Sequence, residues 1–404
     1  DKRAIMSTME ITESALLHCL SLSLRPSDSV HSLPSLTEQE WAQVLALADR
    51  HEVLPLLETV LGDVELPPAL RSAMEWKTAG TVHQSLQLQA LTEKLTRLLR
   101  EADITAITLK GCAVARFYPV PEFRKTSDID LFVSHEEDRE RAVQILCANG
   151  FHLSEKWHAN HHVILTSEKK EVVEVHAAWT ECFQEKHLNQ YVENLQKESN
   201  QHCGLVDCQG VQVYAYDTAW QGFYLLMHML LHFVGSGFGL RNLCDWVVLW
   251  EHCNDTKERE AFWKLVCESG TLEFAKAVTS ICVRYLGLPA EKSPVSVETA
   301  EADTVDALLR DVLDAGEFGY SEAERMVGMD GSSLAAYVRE FHHQMHINFP
   351  KAGRIIFLWP FLWCATLVRF LKNNRRLNRP PVSAILKKAG RRGELVCRLM
   401  PRST

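Results

Sequence analysis

Asp128-Ile129-Asp130, set in the run Ser127 to Val133, constrains this chain more than any other feature. On an extended strand, alternate side chains emerge on opposite faces. Asp128 and Asp130 therefore share one side, about 7 Å apart along the strand. Ile129, Leu131 and Val133 take the other side, where they can bury. Two carboxylates so placed suit a hard divalent cation; the plainer reading is the solvent face of an ordinary strand. A second alternating run, Val172-Val173-Glu174-Val175-His176-Ala177-Ala178-Trp179, reads as another strand with Glu174 and His176 on one face.

An Asp-x-Asp strand joined by a carboxylate from a later strand is the arrangement that two-metal nucleotidyl transfer uses. Upstream, the short apolar run Ile104 to Leu109 ends in Lys110-Gly111. A glycine there lets the backbone approach a phosphate, and a lysine supplies a point charge to it. Arg124, four residues before Asp128, can offer phosphate its planar fork or form a surface ion pair. Ser127 can cap or contact phosphate. His176, sharing a face with Glu174, reads as a neighbour of the acceptor or metal, or as a buried structural residue.

Leu-Lys-Gly, then Tyr-Pro, then Arg-x-x-x-Asp-Ile-Asp-Leu and Glu-Val-His-x-x-Trp resemble the uncharacterised nucleotidyltransferase family of the polymerase-β superfamily. The resemblance implies that Asp128 and Asp130 are metal ligands and that Glu174 is the third carboxylate, with Mg²⁺ or Mn²⁺ bound and an NTP as substrate. It implies transfer of an NMP group to an acceptor hydroxyl or phosphate, in keeping with family members found in polysaccharide and peptide-modification gene clusters. Lys110, Gly111, Arg124 and Ser127 would then steady the triphosphate, and His176 and Arg241 would face substrate. The chain departs from the superfamily pattern in one respect: Gly111 is followed by Cys112 where Gly-Ser or Gly-Gly is usual, and residues 112–127 separate it from Asp128. The Arg124 to Asp130 run also resembles the toxin-like branch that modifies tRNA ends. A non-catalytic, membrane-associated scaffold is the alternative outside the enzymes.

With 404 residues, the chain can form two or three domains around a substantial core. Short strands alternating with helical segments predict an α+β fold, a small mixed sheet embedded in a largely helical chain. The expected divisions are a helical region over 1–102, the α/β core over 103–216, a helical domain closing the site over 217–347, and an apolar, basic tail over 348–404. Thr37 with Glu40 reads as a capping box opening a helix through Ala48. Helices are also expected over 10–24, 51–61, 82–99 and 136–149, and strands over 151–155, 161–166 and 172–178. His228 and His232 lie one turn apart in a helix expected to begin at Asp217; histidines at a helix–helix groove are preferred there to a metal pair. Arg241 and Asp245, also one turn apart, can pair with each other.

Twelve cysteines are scattered singly without a Cys-x-x-Cys pair, which argues against a disulfide framework or zinc ribbon. The first residues lack a signal-peptide pattern, so a cytoplasmic location is expected. The net charge of −9 is uneven: residues 351–404 hold thirteen Lys/Arg and one acid, Glu394, a net +12, so the preceding 350 residues carry −21. Ile355 to Leu371 is apolar apart from Thr366 and Arg369, with Trp359 and Trp363. It reads either as a core helix or as an interfacial segment at the inner face of an anionic membrane. RNA is the weaker alternative partner for this basic tail.

Overall fold

The computed structural model describes residues 10–25, 33–62, 64–159, 162–183, 185–235, 237–298, 300–316, 338, 341–342, 345–346, 348–349, 352–376 and 392–400. Seven strands form one mixed sheet: β1 (Ile107–Thr108), β2 (Ile129–Phe132), β3 (Phe151–Ala159), β4 (His162–Ser167), β5 (Val172–His176), β6 (Cys203–Cys208) and β7 (Val211–Tyr216). Their order is β3-β4-β5-β2-β1-β7-β6. The Asp-x-Asp strand β2 runs parallel to β5 and antiparallel to β1, so it lies in the interior of the sheet. All four of its residues are buried, so Asp130 does not lie on a solvent face.

Helices surround this sheet, as an α+β fold requires: α1 (Ile11–Leu24), α2 (Glu38–Arg50), α3 (Pro68–Glu101), α4 (Glu136–Ala148), α5 (Lys186–Glu198), α6 (Thr218–Val234), α7 (Leu240–His252), α8 (Thr256–Ser269), α9 (Leu272–Tyr285), α10 (Ala302–Ala315) and α11 (Trp359–Arg376). Thr37 and Glu40 form the expected reciprocal cap on α2. Residues 51–61 form a 3₁₀ turn at Leu54–Leu57 followed by one short helical turn, because Pro55 interrupts the regular pattern. The helix expected from Val82 instead starts at Pro68, the position where a proline's missing N–H costs nothing. The β6–β7 hairpin was not legible as strands.

The two sheet faces bury against different partners. Ile129, Leu131 and Val133 pack with Val173 and Val175 against Leu88, Leu95 and Leu99 of α3 and Ala142 and Leu146 of α4. The opposite face, with Phe132, Trp179 and Tyr216, joins the larger core of α6, α7 and α9. Trp179 is its hub. It donates to the Tyr216 hydroxyl at 3.0 Å and meets Phe132, Trp220, Phe223 and Tyr224 edge-on. Such offset contacts add to the gain from area burial. The tryptophan of the Glu-Val-His-x-x-Trp run therefore locks the sheet onto α6. Where α6 crosses α7, Gly222 is required by space: a Cβ there would lie 2.5 Å from a ring carbon of Trp250.

From the tail, Arg392 pairs with Asp311 of α10 at 3.0 Å. One of the basic residues expected to meet an anionic partner thus docks on the acidic body. Glu317, Phe318, Gly319, residues 328–333, His161 and Lys387 to Arg391 lie outside the described residues.

Candidate active site

Register brings the carboxylates together. Asp130 is paired directly with Glu174 across the parallel β2–β5 ladder, and Phe132 with His176. Asp130, Glu174 and His176 consequently project to one face, toward α6. A single nitrogen, His176 Nε2, lies 3.0 Å from Asp130 Oδ1 and 3.3 Å from Glu174 Oε2. Asp128 precedes β2 on the same side, with its Oδ1 accepting from Ser127 Oγ at 3.2 Å. The charges of Asp130, Lys110, Glu174 and Arg241 all act on it.

Lys110 enters from the other flank. Leu109 N donates to the Asp130 carbonyl at 3.0 Å, and Gln221 Nε2 of α6 donates to the Leu109 carbonyl at 2.8 Å. These bonds fix the backbone so that Lys110 Nζ stands 3.2 Å from Asp130 Oδ2 and 3.0 Å from His228 Nε2. Gly111 follows with φ of +57°, a left-handed backbone that a side chain would strain. A narrow cleft opens here, lined by Gly111, Thr126, Asp128 and Asp130 on one side and by Ser85 and Gln89 of α3 on the other.

The electrostatics follow from burial and neighbours. Burial raises the Asp128 carboxyl to about 6, with the nearby Asp130 charge adding to the effect. Burial acts the same way on Asp130, but the Lys110 ammonium and the His176 hydrogen bond outweigh it and hold that carboxyl well below the usual range. Glu174 is also lowered: burial opposes ionisation, and the His176 hydrogen bond overcomes it. Burial by itself would depress His176; hydrogen bonds to Asp130 and Glu174 raise it to about 9. Desolvation and the Lys110 charge push His228 far down, and its neighbour His232 falls to about 4. His228 is therefore a neutral acceptor for the lysine ammonium. Its Nε2 also lies 3.3 Å from His232 Nε2.

Two arginines occupy places the sequence did not reveal. The Arg124 guanidinium, 3% exposed, forms a two-pronged pair with Asp245 of α7, at 2.7 Å for both Nε to Oδ1 and Nη2 to Oδ2. The Tyr118 hydroxyl donates to the same carboxylate at 2.6 Å. Asp245 thus pairs with Arg124 across the fold. Arg241 donates to the Lys125 carbonyl at 2.8 Å and lies 3.4 Å from Glu52, which also meets Lys125 at 3.5 Å. Glu52, with φ of +55°, carried no signal in the sequence. His162, at the start of β4, lies 3.7 Å from Glu174. His228 read as a groove histidine and stands instead against Lys110.

A cation fits these side chains by donor type. Asp128, Asp130 and Glu174 offer carboxylate oxygens, the donor set of Mg²⁺ and Mn²⁺. His162, Glu174 and His176 also present ligand atoms within 4.8 Å of one another, a mixed set closer to Mn²⁺ or Zn²⁺ preference.

Residues 37–287 match the model of a family described as an uncharacterised nucleotidyltransferase. The chain belongs to that family. Its matched segment carries every residue of the carboxylate cluster together with Lys110, Gly111 and Arg241. No curated protein matches the chain. Among solved structures, it is similar to an antigenic nucleotidyltransferase-like protein from Paracoccidioides brasiliensis at 16% identity, over 45% of this chain and 88% of that one, with a TM-score of 0.30. A likeness of that size carries no weight for fold or chemistry.

Proposed function

We propose that this protein is a divalent-cation-dependent nucleotidyltransferase that moves an NMP group from an NTP to an acceptor hydroxyl or phosphate. The observation that carries this reading is the Asp130–Glu174 register beside Asp128, in a chain of nucleotidyltransferase descent. Asp128, Asp130 and Glu174 would hold Mg²⁺ or Mn²⁺, which when bound supplies charge stabilisation to the attacking and leaving oxygens.

The chain's own groups divide the remaining work. Lys110, oriented by Asp130 and neutral His228, neutralises a phosphate of the NTP, and the Gly111 backbone admits it closely. Glu174, held ionised by His176 and 19% exposed at its side chain against 6% for Asp130, is the carboxylate placed to accept the acceptor's proton. His176 holds Asp130 and Glu174 in one geometry. Arg241, at the rim with Glu52, faces the outer part of the nucleotide. Arg124, held by Asp245, does not grip phosphate; it stiffens the loop that delivers Ser127 and Asp128.

The test is incubation with each α-labelled NTP, Mg²⁺ or Mn²⁺, and a cell extract, followed by identification of the labelled product. Asp128→Ala with Asp130→Ala should abolish labelling while circular dichroism and gel filtration stay unchanged. Equal labelling by that double variant would refute the assignment.

A further inference from the structure

The segment around the start of α11 exposes a run of large apolar side chains. Ile356, Phe357 and Phe361 are 65%, 90% and 74% exposed, and Leu367 and Val368 are 47% and 52% exposed. Phe361, Cys364 and Val368 recur at intervals of three and four residues, the spacing of one stripe of α11, and Phe357 lies in the 3₁₀ turn just before it. The opposite side of the same helix is anchored. Trp359 Nε1 donates to the Gly353 carbonyl at 2.7 Å, Trp363 Nε1 donates to His342 Nδ1 at 3.3 Å, and Thr366 is buried. The tryptophans therefore face inward and the phenylalanines outward, so the ridge is held in place and not a frayed end. Single exposed side chains such as Trp76 and Trp263 need no such explanation.

Charge decides the occupant. Arg369 is exposed at the end of the ridge, and Lys372, Arg375 and Arg376 follow it in sequence. An apolar stripe ending at exposed Arg369 and followed in sequence by three more cations complements an anionic lipid surface, where acyl chains take the phenylalanines and headgroups take basic residues. The apolar portion of α11, Trp359 to Val368, rises only about 15 Å, half of a bilayer's hydrocarbon thickness. Among the described residues no helix is long and apolar enough to cross a membrane. We infer that the 355–369 ridge seats this protein in the plane of an anionic membrane face, with Phe357 and Phe361 as its insertion points.

Co-sedimentation of the full chain with vesicles of phosphatidylcholine alone, or with 30 mol % phosphatidylglycerol at ~0.1 M and ~0.5 M salt, tests this. The protein should pellet with the anionic vesicles, more weakly at the higher salt. Phe357→Ser with Phe361→Ser should lower the partition coefficient by about tenfold or more with the thermal melt unchanged. Hydrogen exchange in peptides spanning 355–368 should slow when anionic vesicles are added. Equal partitioning of the double variant, unchanged exchange, or retention by RNA but not by vesicles would overturn the inference. So would a dimer in light scattering that the double variant converts to monomer, which would assign the ridge to a second copy of the chain.

Discussion

Two buried charge groups stand on opposite sides of one short loop and are built differently. At one end, Arg124 and Asp245 match one cation to one anion in a two-pronged pair, with the Tyr118 hydroxyl filling a further acceptor site. At the other end, three carboxylates, Asp128, Asp130 and Glu174, face the Lys110 ammonium and the His176 imidazolium. The carboxylates outnumber these two cations, and Asp128 is the carboxyl that burial pushes up to about 6. A balanced, saturated pair holds a fold together. An unbalanced group of oxygen donors on one face is what the proposed divalent cation would neutralise.

The largest expected effect breaks the balanced group. Asp245→Ala leaves a buried guanidinium without its partner and should cost about 3–5 kcal/mol, read as a lowered denaturant midpoint. Arg124→Met with Asp245→Leu should recover most of that loss, since a buried pair is often replaceable by apolar residues of similar size. The same exchange at the unbalanced group, Asp130→Leu with Lys110→Met, should keep the fold and destroy transfer. Recovery of transfer there would erase the distinction between the two groups.

A smaller effect comes from pH. The folded His176 pKa of about 9 lies above its ordinary 6.5, so its protonated form stabilises the fold. That contribution is complete below pH 6.5 and is lost as pH rises through 9. It should amount to on the order of 3 kcal/mol. Thermal melts between pH 6.5 and 9.5 should therefore fall more steeply for the parent chain than for His176→Gln. Parallel curves would show that His176 is not held by the two carboxylates.

The smallest change sharpens the boundary between the groups. Arg241 is bound to Glu52 and the Lys125 carbonyl, and its charge acts on Asp128. Arg241→Gln should raise the KM for NTP roughly tenfold, about 1.4 kcal/mol, with little change in kcat or melting temperature. A fall in kcat without a change in KM would place Arg241 at the reacting atoms.

Local pattern made the chemistry-bearing strands legible, because a period of two places Asp128 and Asp130 together and Glu174 with His176 whatever the wider fold. The apolar partners on the other face, Ile129, Leu131, Val173 and Val175, were legible for the same reason. Partners more than a hundred residues apart were not. Arg124 with Asp245 and Lys110 with His228 depend on how α6 and α7 dock on the sheet, and no spacing rule reports that. The β6–β7 hairpin was missed because Gly204 and Asp207 weaken the alternation in a strand whose stability comes from its neighbour. Glu52 reaches the rim of the site through a left-handed turn that glutamate does not advertise.

The central claim is tested most directly by Mn²⁺ binding, followed by electron paramagnetic resonance with a non-hydrolysable NTP analogue present. The parent chain should bind the ion, and Asp130→Asn and Glu174→Gln should each weaken binding on the order of 10- to 100-fold while circular dichroism stays unchanged. Mn²⁺ bound equally well by the parent and both variants would contradict the account.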